Sequence, residues 1–108
     1  MKHSVLRFAL ALCAVTVAAG AAAKEFEVAQ KDKKFSQATL AVKVGDSIVF
    51  KNEDPFAHNV FSLSDPKTFD LGSYPKGQSK TVVFDKPGTV EVECAIHPDM
   101  KIVVEVKK

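Results

Sequence analysis

The seven residues Cys94-Ala95-Ile96-His97-Pro98-Asp99-Met100 constrain this chain more than any other stretch. They bring together a thiol, an imidazole and a thioether, all soft or borderline metal donors. Directly before them Thr89-Val90-Glu91-Val92-Glu93 alternates apolar with polar, and directly after them Lys101-Ile102-Val103-Val104-Glu105-Val106 does much the same. Period-two alternation predicts half-buried strands, so the seven residues form the loop between two strands. A further donor would have to come from elsewhere in the chain. His58, in Phe56-Ala57-His58-Asn59-Val60, is available.

The chain opens as a secretory leader does. Lys2 and Arg7 supply positive charge, Phe8 to Ala19 is an apolar run, and Ala21-Ala22-Ala23 offers an A-x-A cleavage site. The run is too short and too rich in alanine to span a bilayer as a helix. Cys13 lies inside the run behind a bulky Leu12, which argues against a lipoprotein anchor. The expectation is therefore a signal peptide over residues 1–23, export to the periplasm, and a single domain over residues 24–108 that is free of the membrane once cleaved.

Cleavage after Ala23 leaves 85 of the 108 residues and removes Met1, His3 and Cys13. One cysteine, two histidines and one methionine remain: Cys94, His58, His97 and Met100. These make one Cys-His-His-Met set with no spares. A thiolate, two imidazoles and a long axial thioether are the donors of a blue-copper electron-transfer site. A lone cysteine also excludes an internal disulfide in a compartment where disulfides persist. Coordination would keep such a thiol deprotonated and occupied, whereas burial as a small hydrophobe is its ordinary alternative.

Charge excludes one class of function. Without Lys2 and Arg7 the 15 basic residues fall to 13 lysines, against 13 acids, and no arginine is left. Nucleic-acid binding calls for a basic stripe with arginine forks or stacking aromatics, and neither is present. Lys31, Lys33 and Lys34 cluster around Asp32, which reads as a polar loop.

Strand patterns run through the whole of the exported chain. Lys24 to Val28, Leu40 to Val44, Ser47 to Lys51, His58 to Ser62 and Lys80 to Phe84 alternate, in addition to the pair around the metal loop. Gln30 to Lys34 and Asn52-Glu53-Asp54-Pro55 read as loops, and Asp85-Lys86-Pro87-Gly88 as a tight turn. Between Leu63 and Ser79 the pattern dissolves into Asp65-Pro66, Gly72-Ser73, Pro75 and Gly77, which predicts a surface crossover with one short strand near Thr68 to Leu71. No segment has a helical period. The fold class expected is all-β, a Greek-key β-sandwich of seven to eight strands.

With these pieces in view, the chain resembles the cupredoxins, the type 1 blue-copper fold of amicyanin and plastocyanin. The matching stretches are Val42-Lys43-Val44-Gly45-Asp46 leading into Ile48-Val49-Phe50, then His58-Asn59-Val60, Phe84-Asp85-Lys86-Pro87-Gly88-Thr89 and Cys94 to Met100. They cover most of residues 25 to 106. The Cys-x-x-His-x-x-Met spacing is similar to the short ligand loop of amicyanin. The resemblance implies one type 1 copper ion with His58, Cys94 and His97 as trigonal ligands and Met100 as the weak axial ligand. It implies that Asn59 ties the two ligand segments together near the Cys94 sulfur, a supporting contact of the kind that tunes a metal. It also implies that electrons pass through the exposed edge of His97, with Phe56, Ile96 and Pro98 as an apolar docking patch.

The chain departs from the family at Glu91-Val92-Glu93, where aromatics are common, at Ala57 before His58, and at Asp99 in the ligand loop. Parity still turns Val90, Val92 and Cys94 to one face.

The function expected is a periplasmic carrier of single electrons, not an enzyme. It would act as a monomer between redox proteins such as a c-type cytochrome or a periplasmic dehydrogenase. Two alternatives use the same chain differently. One is a periplasmic copper-binding or delivery protein with no electron partner, and the other is a sandwich domain for protein contact with no metal.

Overall fold

A computed structural model of the chain describes residues 22–108. The expected leader falls outside the described residues apart from Ala22 and Ala23, which are exposed and belong to no strand. Nine strands follow in chain order: β1 (Glu25–Lys31), β2 (Lys34–Phe35), β3 (Thr39–Lys43), β4 (Ser47–Asn52), β5 (His58–Ser62), β6 (Phe69–Tyr74), β7 (Ser79–Val83), β8 (Gly88–Cys94) and β9 (Lys101–Lys107). No described element is a helix.

The strands form two sheets, ordered β2-β1-β4-β7 and β3-β9-β8-β5-β6. The β1/β4 and β3/β9 pairs are parallel and the others antiparallel. The alternation read from the sequence becomes the inside and outside of this sandwich. Ile48 and Phe50 of β4, Val60 of β5, Val90 and Val92 of β8, and Ile102 and Val104 of β9 are fully buried. Glu91 between them faces solvent and Glu93 is half-buried, so the acidic strand before the cysteine keeps an apolar inner face. Phe50 packs edge-on to Phe35 at 6.1 Å and against Phe69 at 6.2 Å, and Phe69 meets Phe84 at 6.4 Å. These aromatics join the sheets, and truncating one to alanine removes about 3–5 kcal/mol.

Two segments differ from the sequence expectation. The turn expected over Gln30 to Lys34 shrinks to Asp32-Lys33. Lys31 pairs with Lys34, and both central residues take positive φ (55° and 61°). That is the two-residue hairpin geometry whose twist suits its flanking strands, though it normally recruits glycine or asparagine. The crossover after Leu63 carries a six-residue strand rather than the short one expected. β6 pairs with β5 from Phe69 to Tyr74, with a register shift between Asn59 and Phe61. Gly72, at φ +71°, sits inside this strand where its composition reads as a turn.

Candidate metal centre

The register of β5 on β8 brings the donors together. Val60 lies directly opposite Cys94, and His58 shares the buried face of β5 with Val60. His58 is therefore a diagonal neighbour of Cys94 on the inner surface, within side-chain reach. The loop after Cys94 then folds back on itself. The Met100 N–H donates to the His97 carbonyl at 2.9 Å, and the Cys94 N–H to the Met100 carbonyl at 3.3 Å. This closure carries His97 over the end of the sandwich and returns Met100, fully buried, to the same core cluster as Cys94.

Three donor atoms converge as a result. His58 Nδ1 and His97 Nδ1 are 3.2 Å apart, and Cys94 Sγ lies 3.6 Å from the first and 3.7 Å from the second. A point in the plane of such a triangle lies about 2.0 Å from all three corners, close to ordinary lengths for a metal bound to imidazole nitrogen and thiolate. A proton shared between the two imidazoles would account for the shortest side alone. The sulfur, nearly equidistant from both, lies where a common ion would require it. Two imidazoles and a thiolate in a trigonal set suit copper in both oxidation states.

The two histidines are held in different ways. His58 is fully buried, and its Nε2 lies 2.6 Å from Asp54 Oδ2. A carboxylate there calls for the proton on Nε2, and in the neutral imidazole that leaves the Nδ1 lone pair facing the sulfur. Asp54 is itself pinned. Its oxygens accept the Asp32 N–H at 2.7 Å and the Lys33 N–H at 3.1 Å, and its own N–H donates to Asn52 Oδ1 at 2.8 Å. The Asn52 amide in turn donates to the Phe56 and Tyr74 carbonyls, both at 2.9 Å. Burial pushes the Asp54 carboxyl up, but the hydrogen bonds from His58, Lys33 and Asp32 outweigh it and hold the group below the ordinary 3.8. The same bonds account for the two left-handed residues of the hairpin, since a strained turn persists when its surroundings over-determine it.

His97 is half-buried and sits on a loop. Its ring meets Phe56 at 5.8 Å and His58 at 5.0 Å, while Phe56 also covers His58 at 5.3 Å. Phe56 is 39% exposed and Ile96 55% exposed, and Pro98 is exposed beside His97. A groove of about 320 Å³ runs between His97, Pro98 and Asp99 on one wall and Asp32, Lys33 and Lys34 on the other.

Asn59 is placed differently from the ligands. Its side-chain amide donates to Asp70 at 3.1 Å on the surface, and its backbone carbonyl accepts the Ala95 N–H at 3.0 Å. The link between ligand segments at this position is thus a backbone one. Asp54 is the residue that sequence reasoning missed. Its sequence context is that of a polar loop, and the available sign is a carboxylate four positions before His58.

Comparison with known proteins agrees with this geometry. The model of the cupredoxin-like domain matches residues 4–104. The chain is 34% identical over 103 residues to the methylamine utilization protein MauL of Methylorubrum extorquens, covering 94% of this chain and 90% of that protein. It is 31% identical over 116 residues to amicyanin-alpha of the same organism, covering 93% and 98%. Among solved structures, the Cu(I) form of an amicyanin methionine-to-alanine mutant superposes with a TM-score of 0.71 at 26% identity, over 77% of this chain and 82% of that one. The chain belongs to the cupredoxin family, and its cofactor is copper.

Proposed function

We propose that this protein is a periplasmic carrier of single electrons, with one copper ion held by His58, Cys94 and His97 and capped axially by Met100. The observation that carries this reading is the convergence of three soft or borderline donors on one point. The bound ion supplies the one-electron couple between Cu(I) and Cu(II). The chain supplies a fixed frame. β5 and β8 hold two of the donors on a close-packed sandwich, and the Asp54 bond fixes the orientation of His58. Little then has to rearrange when the charge changes. The buried Met100 closes the site from the core, and Phe56 shields the two imidazoles from water.

The exposed side is the side for exchange. His97 reaches the surface within an apolar patch of Phe56, Ile96 and Pro98, and redox encounters use small interfaces of this kind. Partners of the expected class are a c-type cytochrome or a periplasmic dehydrogenase. The likeness to a methylamine utilization protein supports a place in the use of small amines.

Voltammetry of the copper-loaded protein tests the reading. It predicts a reversible one-electron wave and stoichiometric reduction of a c-type cytochrome or oxidation by one. Release of copper on each reduction would instead favour the delivery role.

A further inference from the structure

At the end of the sandwich remote from the proposed copper site, Asp46 grips the chain just before β1. Its Oδ1 accepts the Lys24 N–H at 2.8 Å and its Oδ2 accepts the Lys43 N–H at 2.8 Å, with the side chain almost wholly enclosed. The Lys24 carbonyl accepts the Ser47 N–H at 2.9 Å, and the parallel pairing of β1 with β4 starts at the next residue, Glu25 opposite Ser47. Lys24 is thus fixed through both its backbone groups, while Ala22 and Ala23 just before it are exposed and unpaired. Among the described residues, the first backbone group held by the sandwich follows the A-x-A sequence directly.

We propose that the Ala23–Lys24 peptide bond is the processing site, and that Asp46 is the receptor for the α-ammonium group that hydrolysis leaves on Lys24. The proposal rests on the reading of residues 1–23 as an export leader. A leader peptidase consumes one water, breaks the bond between the Ala23 carbonyl carbon and the Lys24 nitrogen, and leaves a carboxylate on Ala23. The Lys24 nitrogen changes from an amide with one proton to a cation with three. Its bond to Asp46, already charge-assisted through the carboxylate, then gains the attraction of an ion pair. Lys24, Lys43 and Lys107 line the cleft beside Asp46, and their positive charge opposes a further cation. The new ammonium stays at hydrogen-bond distance from the carboxylate, which favours it. Processing would in this way fasten the first strand to the sandwich rather than merely release the chain.

The test begins with the intact mass of the protein exported from the full-length gene. The proposal expects a chain starting at Lys24. A leader cleaved at another bond overturns it while leaving export intact, and an uncleaved chain overturns the export reading as well. Chains released from a cleavable fusion to start at Lys24 or at Ala22 are then melted, with and without Asp46→Asn. Starting at Lys24 should raise Tm by a few degrees, and D46N should erase most of that gain with copper binding unchanged. Acetylating only the Lys24 α-amino group should erase it too, without touching Asp46. An equal gain in both backgrounds, or none lost on acetylation, contradicts the proposal.

Discussion

The two imidazoles of the proposed copper site show how one fold can make a centre both fixed and reachable. His58 sits on a strand, fully buried, with Nε2 bonded to Asp54 and Asp54 bonded in turn to a hairpin and to Asn52. His97 sits on the six-residue loop between β8 and β9, closed by two backbone hydrogen bonds, and faces a surface groove. The first is held by a chain of polar contacts that exclude water. The second is held by a short covalent tether and by its packing on Phe56. Rigidity on one side sets the geometry, and under the proposed function access on the other lets an electron in or out.

The contrast is broken most sharply by emptying each position. In His97→Gly the vacancy opens to the groove, so added imidazole should restore the copper spectrum to near its original intensity. In His58→Gly the vacancy is sealed, and the same imidazole should restore little. Equal rescue of both variants, read by visible absorption, would show that the two sides do not differ in access.

Removing the support of the buried side comes next in size. Asp54→Ala leaves His58 Nε2 without its acceptor and frees the Asp32 and Lys33 amides. Copper affinity should fall roughly 10–100-fold, measured by competition with a chelator. The matching change on the open side, Phe56→Ala, should slow electron exchange with a partner several-fold. Being partly exposed, it should leave stability within about 1 kcal/mol. Stopped-flow reduction and thermal melts separate the two effects.

The smallest effect concerns acid. The Lys24 N–H, then the Lys43 N–H, hold the Asp46 carboxyl below its ordinary 3.8. A lowered folded pKa contributes stability above the unfolded value, and that stability is lost as pH falls through the folded one. The Tm gap between the parent chain and D46N should therefore be constant near neutrality and close below about pH 3.8. A gap that widens there would reverse the sign.

Much of this was legible in the residues. Alternation around Cys94 to Met100 announced β8, β9 and their loop, because a strand with one buried face writes its parity into the sequence. Val90, Val92 and Cys94 were placed on the inner face for that reason, and they are there. β6 was under-read because Gly72-Ser73 resembles a turn by composition, and only pairing with β5 decides otherwise. The Asp54 network was invisible for a different reason. It joins a loop, a hairpin and a strand through hydrogen bonds that follow no period, so only the folded geometry shows which carboxylate meets which imidazole. The Asn59 side chain likewise finds Asp70 on the neighbouring strand, a partner that the register shift between β5 and β6 selects.

The most direct test of a shared ion is the absorption and EPR spectrum of the apo protein after one equivalent of Cu(II), recorded beside Cys94→Ser and His58→Ala. The account predicts an intense visible thiolate-to-copper band in the parent protein, lost in C94S, strongly altered in H58A, and bleached on reduction. A weak band that is the same in all three proteins would mean that the sulfur and the buried imidazole do not grip one copper.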